Sequence, residues 1–237
     1  LRHDFRTIDP AAARILLVEG GPRVLPSFPD GLSAKAERQL ARLGAEVMTG
    51  WTVTDIDGDQ VSIQRGDETS TLTAQAIVWA AGVRASSLGA ALAALGAGLD
   101  RAGRVVVESD LAIAGHPNIY VVGDLASVTQ NGKPVPGVAP AAMQMGRYVA
   151  DRIMGKATKP FRYRDKGSLA TIGRSAGVAD FGRIRFSGFP AWAAWLGIHI
   201  FFLIGFQNRL LVMIQWAWNY VTRNRSARLV VRYEEPD

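Results

Sequence analysis

The chain has 237 residues, no cysteine and a formal charge of +6 at neutral pH. The missing cysteines exclude disulfides and thiolate metal sites within it, and three histidines without paired spacing argue against a zinc centre. The charge is uneven: residues 160–233 hold 11 basic and two acidic side chains, which points to an anionic membrane surface, to nucleic acid or simply to a solvated basic face.

The sequence opens on Leu1 with no legible leader, so it is expected to start within a longer protein. Arg14-Ile-Leu-Leu-Val18-Glu19 reads as a buried strand ending in an acid. Ser33 is the expected cap of a helix with Ala36, Leu40 and Leu43 on its apolar face, and Ala45 to Met48 is a further strand. This order is the core of a doubly wound nucleotide-binding unit. An acid ending the second strand of such a unit commonly binds a ribose hydroxyl, and Glu19 fits by position. No Gly-x-Gly-x-x-Gly occurs; the expectation is that it lies upstream of Leu1.

From Thr52 to Ala81 the pattern alternates, with a turn at Gly66-Asp67 and a last strand over Ala76 to Trp79. Gly82 is expected to let a ligand approach the backbone at that strand's end. Ser87 to Leu95 is an alanine-rich helix closed by Gly96 and Gly98, and Arg104 to Val107 is a short strand.

Asn118 to Arg152 is the most informative stretch. Ile119 to Val122 suits a buried parallel strand, Gly123 a tight turn, and Asp124 a carboxylate at the strand's C-terminal end, where such sheets bind ligands. A helix follows, with Pro140 in its first turn and Val138, Ala142, Met145, Val149 and Ile153 at helical spacing. Gln144 and Arg147 lie off that stripe.

Lys156 to Asp165 reads as a polar link, and the Gly-broken runs that follow as small antiparallel strands. They contain Gly-x-Ser-x-Gly at Gly173 to Gly177, with Asp180 and His199 beyond. A nucleophile elbow needs a strand, a turn and then a helix, so a hydrolase triad is rejected here. From Pro190, two apolar segments (Ala191 to Phe206 and Leu210 to Val221) flank Gln207-Asn208-Arg209. Trp192, Trp195, Trp216, Trp218 and Tyr220, with Arg209, Arg223, Arg225 and Arg228, suit a helical hairpin lying in a membrane surface. A single spanning helix near 191–206 and a core or oligomer interface are the alternatives.

Taken together, Leu17-Val-Glu19-Gly-Gly-Pro-Arg-Val-Leu-Pro26, Val78-Trp-Ala-Ala-Gly82-Val83, Ile119-Tyr-Val-Val-Gly-Asp124-Leu-Ala126 and Pro136-Gly-Val-Ala-Pro-Ala-Ala-Met-Gln144-Met-Gly-Arg147 resemble the C-terminal part of a type II NADH dehydrogenase. Asp165-Lys166-Gly167 to Arg174 and the Trp-rich tail complete the resemblance. It implies an α/β fold, a Rossmann-like flavoprotein with two dinucleotide-binding domains. The fold would be incomplete at the N-terminus and carry a C-terminal amphipathic helical membrane anchor. The implied domains are an NADH-binding domain over 1–108, a returning part of the FAD-binding domain over 109–160, and a small-strand, membrane-anchoring region over 161–237.

The implied activity is hydride transfer from NADH to FAD and electron transfer to a quinone, without proton pumping, at the cytoplasmic face of the cell membrane. The cofactor carries the redox chemistry, and the protein positions it. By the same resemblance, Glu19, Ala81 and Gly82 contact NADH. Gly123, Asp124, Ala141 and Ala142 contact FAD, and Gln144 and Lys166 stand at the flavin and quinone. Pro140 departs from the family pattern, which often has glutamine there, so no quinone contact is expected at 140. Implied partners are NADH, quinone, an anionic membrane surface through 189–225 and, as an option, a second copy of the chain; no nucleic acid. A sulfide:quinone oxidoreductase is disfavoured by the absent cysteines. A disulfide reductase is disfavoured by the tail, and a non-catalytic basic module by the ordered motifs.

Overall fold

In the computed structural model, which describes residues 12–203 and 205–222, the first apolar run forms a strand as expected. β1 (Ile15–Glu19) leads into α1 (Asp30–Arg42) and β2 (Ala45–Thr49), and the two strands pair in parallel, Glu19 opposite Thr49. This is one β-α-β crossover on a two-stranded sheet. Ser33 does not cap α1. It is buried inside the helix, and its hydroxyl donates to the Val24 carbonyl at 2.5 Å, while Pro29 precedes the first turn. The helix packs Leu32 and Ala36 on Val24, Phe28 and Val178.

β3 (Thr52–Asp57), β4 (Gln60–Arg65) and β5 (Glu68–Thr73) form the expected antiparallel meander, with Gly66 at positive φ in its second turn. Trp51, Val61 and Ile63 make its core. The strand expected over Ala76 to Trp79 is absent. Val78 and Trp79 are 86% and 61% exposed, and no described strand pairs with them to satisfy a ladder.

α2 (Leu88–Ala93) and β6 (Val105–Val106) follow expectation. Ile119 to Val122 does not form a parallel strand. Instead β7 (Ala112–Ile113) and β8 (His116–Tyr120) pair antiparallel across Gly115, whose φ of +78° makes the reversal tight. A 3₁₀ turn covers Gly123–Leu125, then β9 (Ala126–Ser127) pairs in parallel with β6. β10 (Thr129–Gln130) and β11 (Lys133–Pro134) form a short hairpin ahead of α3 (Ala139–Ile153). Met145 and Ala141 of α3 are buried against Val105, Leu111, Ile113 and Val121. Ile153, expected on that apolar face, is 70% exposed.

β12 (Ser168–Gly173), β13 (Ala176–Asp180) and β14 (Arg185–Ser187) make the expected small antiparallel sheet, on which α1 also packs. α4 (Phe189–Phe202) and α5 (Phe206–Thr222) form the hairpin. Its break comes earlier than expected: Gln207, Asn208 and Arg209 lie inside α5, and the chain turns after α4 near Leu203 and Gly205. Arg209 donates to the Leu203 carbonyl at 2.6 Å and covers the Phe201 ring, which ties that turn down. Among the described residues no helix is long and apolar enough to cross a membrane. That removes the spanning alternative for those residues. Arg223, Arg225 and Arg228, and the leading Leu1, lie outside the described residues.

Contacts divide the chain into two units, Leu1–Ile77 with Gly167–Asp237, and Val78–Lys166. Gly167 opens β12 and has no freedom to change. Its φ is +93°, and an added Cβ would sit 2.5 Å from the Asp180 carbonyl and 2.6 Å from the Phe181 ring. Gly167→Ala is therefore expected to destabilise the full-length protein by roughly 2–5 kcal/mol, adding backbone strain to overpacking. A urea midpoint equal to the parent's would refute this.

Candidate functional site

In the second unit, a cavity of about 390 Å³ opens between residues 83–86, the turn at Gly123 and the start of α3. Four of the expected cofactor residues line it: Gly123, Asp124, Ala141 and Ala142. Gly123 has φ +72°, and its N–H points at the Met145 sulfur at 3.3 Å, which fixes the turn on α3. Asp124 is exposed at the rim, with Gly137 beside its carboxylate.

At the start of α3 the Val138 carbonyl accepts the Ala141 and Ala142 N–H groups, at 2.9 and 3.2 Å. Val138 at its N-cap offers no side-chain acceptor, and Pro140 carries no N–H. The first turn therefore presents the positive end of the helix dipole to the cavity. Arg84 and Arg104 add two cations to the lining, while Val135, Pro136, Val138 and Met145 make the apolar wall. Arg104 is oriented by Asp100, at 2.8 Å. Burial pushes the Asp100 carboxyl upward, but hydrogen bonds from the Arg104 and Ala102 N–H groups, the Ser127 hydroxyl and the Arg104 guanidinium outweigh it and hold it below the usual carboxylate range. An apolar wall, the positive end of a helix dipole and the Arg84 and Arg104 side chains suit a ligand with a phosphate or sugar-phosphate portion.

Gln144 and Lys166 are not among the cavity lining. Gln144 is committed elsewhere: its amide nitrogen donates to the Arg164 carbonyl at 3.0 Å, and its amide oxygen accepts from the Arg164 N–H at 2.9 Å. Gln130 does the same one residue earlier, donating to the Tyr163 carbonyl at 3.1 Å and accepting from the Tyr163 N–H at 2.8 Å. Successive backbone groups of an extended chain point to opposite sides. The two glutamines thus act as partial strands on either side of residues 163–164. The stretch expected as a polar link is a held segment, and it delivers Lys166, whose side chain is exposed. Gln130 was not visible as a functional candidate. A lone glutamine in a turn-rich stretch carries no signal until the partner backbone is known.

Glu19 lies in the first unit at the end of β1, half-buried, and accepts the Gly21 N–H at 2.7 Å. A Cβ on Gly21 would approach that carboxylate to 3.1 Å, so the glycine permits the contact. Ala81 and Gly82 belong to the other unit, exposed, with Gly82 at φ +90°. The residues of the rejected triad are all otherwise engaged. Ser175 occupies the β12–β13 turn at φ +61° and shares a 2.9 Å hydrogen bond with the Tyr220 hydroxyl. Asp180 pairs with Arg185, and His199 packs against both Trp195 and Trp216, which also stack on each other.

Comparison with known proteins places these features in context. Residues 7–146 match the family described as pyridine nucleotide-disulphide oxidoreductase, and residues 166–224 match the NDH2 C-terminal domain. A type II NADH:quinone oxidoreductase of Mycobacterium tuberculosis is 41% identical over 234 residues, covering 95% of this chain and 50% of that protein. One from Haemophilus influenzae is 34% identical over 72% of this chain and 38% of its own length. The chain thus spans about half the length of the first of these relatives. The structure of NDH2 from Plasmodium falciparum in complex with NADH superimposes with a TM-score of 0.77 at 19% identity, covering 87% of this chain and 58% of that one. At that identity it shows the shared fold.

Proposed function

The chain belongs to the pyridine nucleotide-disulphide oxidoreductase family and carries an NDH2-type C-terminal domain, and from that membership we propose that it is the nucleotide-side and membrane-side portion of an NADH:quinone oxidoreductase. The net reaction is NADH, a proton and a quinone giving NAD⁺ and a quinol, with no protons pumped. We assign residues 1–108 to NADH binding, 109–160 to the returning part of the FAD domain, and 161–237 to the small sheet and membrane hairpin.

The observation that carries this reading is the cavity, in which Gly123, Asp124, Ala141 and Ala142 converge at the start of α3. FAD fits that donor set, and when bound it would supply hydride acceptance from NADH and electron delivery to the quinone. The positive end of the α3 dipole would face its phosphate and sugar portion, with the small side chains of Ala141 and Ala142 keeping the surface flat. Asp124 would accept hydrogen bonds from its hydroxyls. Glu19 would accept from a ribose hydroxyl of NADH, and a 2′-phosphate would meet its charge unfavourably. Ala81 and Gly82 would offer backbone contacts to NADH.

Gln144 retains one amide hydrogen beyond the one given to Arg164, because a carboxamide carries two. That hydrogen would donate to a quinone oxygen. Lys166, held at the end of the clamped segment, would stabilise negative charge developing on the reacting groups.

The test is made on the full-length, FAD-loaded protein by rapid mixing. NADH is expected to bleach the flavin absorbance faster than NADPH, and Glu19→Ala to shrink that preference by about tenfold, the worth of one charge-assisted hydrogen bond. Faster reduction by NADPH in the parent protein would overturn the assignment of Glu19.

A further inference from the structure

We infer that the first unit carries a binding site for the phosphate of an anionic glycerophospholipid headgroup, built by α1 and the start of α4. It extends the membrane attachment proposed above, on which it rests, by adding a specific lipid contact outside the apolar hairpin. A cavity of about 200 Å³ is lined by Lys35, Arg38, Gln39 and Arg42 of α1 and by Ser187 and Gly188. Lys35, Arg38 and Arg42 recur at intervals of three and four, so they share one exposed face of the helix. Gln39 donates to the Gly177 carbonyl at 3.2 Å and so fixes that face against the small sheet.

Three features make this a site and not merely a solvated basic face. First, none of the three cations has an acidic partner among the described residues. Asp30 is paired with Arg23 and Glu46 with Arg14, each at 2.7 Å. Glu37, beside Arg38, points off the face by roughly 100°, the angular step of the helix. Second, the opposite wall is the entry to α4, a 14-residue helix with no side-chain cap at Gly188, so its dipole adds to the same positive field. Third, α4 is the first helix of the exposed apolar hairpin: Phe189 is 57% exposed at its first turn and Phe201 66% near its end. A helix lying in a membrane surface keeps its end at headgroup depth. The cluster therefore meets phosphates already concentrated at that surface, which selects a lipid over a free anion as the source.

The test uses the full-length, FAD-loaded protein with sedimenting vesicles of phosphatidylcholine alone, or with about 30 mol% phosphatidylglycerol, a strongly anionic surface. The Lys35→Gln/Arg38→Gln/Arg42→Gln variant is expected to lose about tenfold or more in affinity for the anionic vesicles and to bind the neutral ones as the parent does. A charge-matched control, Lys133→Gln/Arg101→Gln/Lys156→Gln, removes the same net charge from the other unit and is expected to lose much less.

Equal losses in the two variants would reduce the effect to net charge and overturn the site. So would equal loss on both vesicle types, or no loss at all. Tight binding of inorganic phosphate in the absence of vesicles, abolished by the α1 variant, would mark a free-anion site and overturn the lipid assignment. Flavin reduction by NADH in solution is expected to be unchanged in the α1 variant. A parent protein that failed that reaction would refute the oxidoreductase reading and leave the vesicle result intact.

Discussion

Alanine at position 144 is expected to slow quinone reduction by about tenfold while flavin reduction by NADH stays within about twofold of the parent, the loss being one hydrogen bond made only on the quinone side. The prediction has two parts, because Gln144 has two tasks. It clamps Arg164 by both amide atoms, and it keeps one hydrogen to donate. Gln130→Ala separates them. Gln130 holds the adjacent residue of the same segment and is assigned no contact with quinone.

If Gln144 acts only by positioning Lys166, the two alanine variants should lose quinone turnover equally. Direct donation makes Gln144→Ala the more damaging, with the difference in kcat and not in the rate of flavin reduction. Gln144→Glu is informative as a third variant. Its carboxylate still accepts the Arg164 N–H but donates nothing. Equal loss in both half-reactions for Gln144→Ala would remove the quinone role altogether.

The same residues show what the sequence could reveal. The turn at Gly123 and the helix behind it are legible because each has a local reason, a positive φ and a proline in a first turn, whereas the strand that Asp124 was expected to end stops at Tyr120. The convergence of Gly123 and Asp124 with Ala141 and Ala142 on one cavity is implied by the family resemblance and not by those local rules. Ser33 was misread because a serine ahead of an apolar face signals a cap, yet here tertiary packing buries its hydroxyl against Val24. Ala76 to Trp79 and Ile119 to Val122 have strand composition, but a strand exists only where a neighbour offers a ladder, and composition does not name the neighbour. The clamp on Tyr163 and Arg164 joins residues 33 and 20 positions apart. No periodicity or spacing rule reaches contacts of that kind.

Removing residues 189–225 is expected to move the FAD-loaded protein from the membrane pellet to the supernatant while electron transfer from NADH to a water-soluble acceptor persists. The physical case rests on α4 and α5. They are 14 and 17 residues long, about 21 and 26 Å at the helical rise, short of the roughly 30 Å hydrocarbon core. Yet α5 buries no residue, and Phe206, Leu211, Ile214, Trp218 and Val221 are all more than half exposed. Patches of that kind are uncommon on monomers unless they meet another surface.

The inner face of the hairpin is fixed by rings. Trp195, His199 and Trp216 stack with centroids 4.9 and 5.5 Å apart, and Trp192 stacks on Tyr220 at 5.3 Å. Arg174 lies over the Tyr220 ring and donates to its carbonyl, pinning α5 to the β12–β13 turn. The apolar face is therefore held outward as a rigid surface. Deletion also uncovers the sheet beneath Ala191, which is 1% exposed, so a second variant guards against misfolding. Phe206→Asp/Leu211→Asp/Ile214→Asp changes only the outer face and leaves the stacked rings in place. Three charges on a face meant for the acyl boundary, at about 2–3 kcal/mol each near the hydrocarbon, are enough to abolish binding to neutral vesicles. Retention of that variant on phosphatidylcholine vesicles, with its flavin and its NADH reaction intact, would mean that the hairpin is not the anchor.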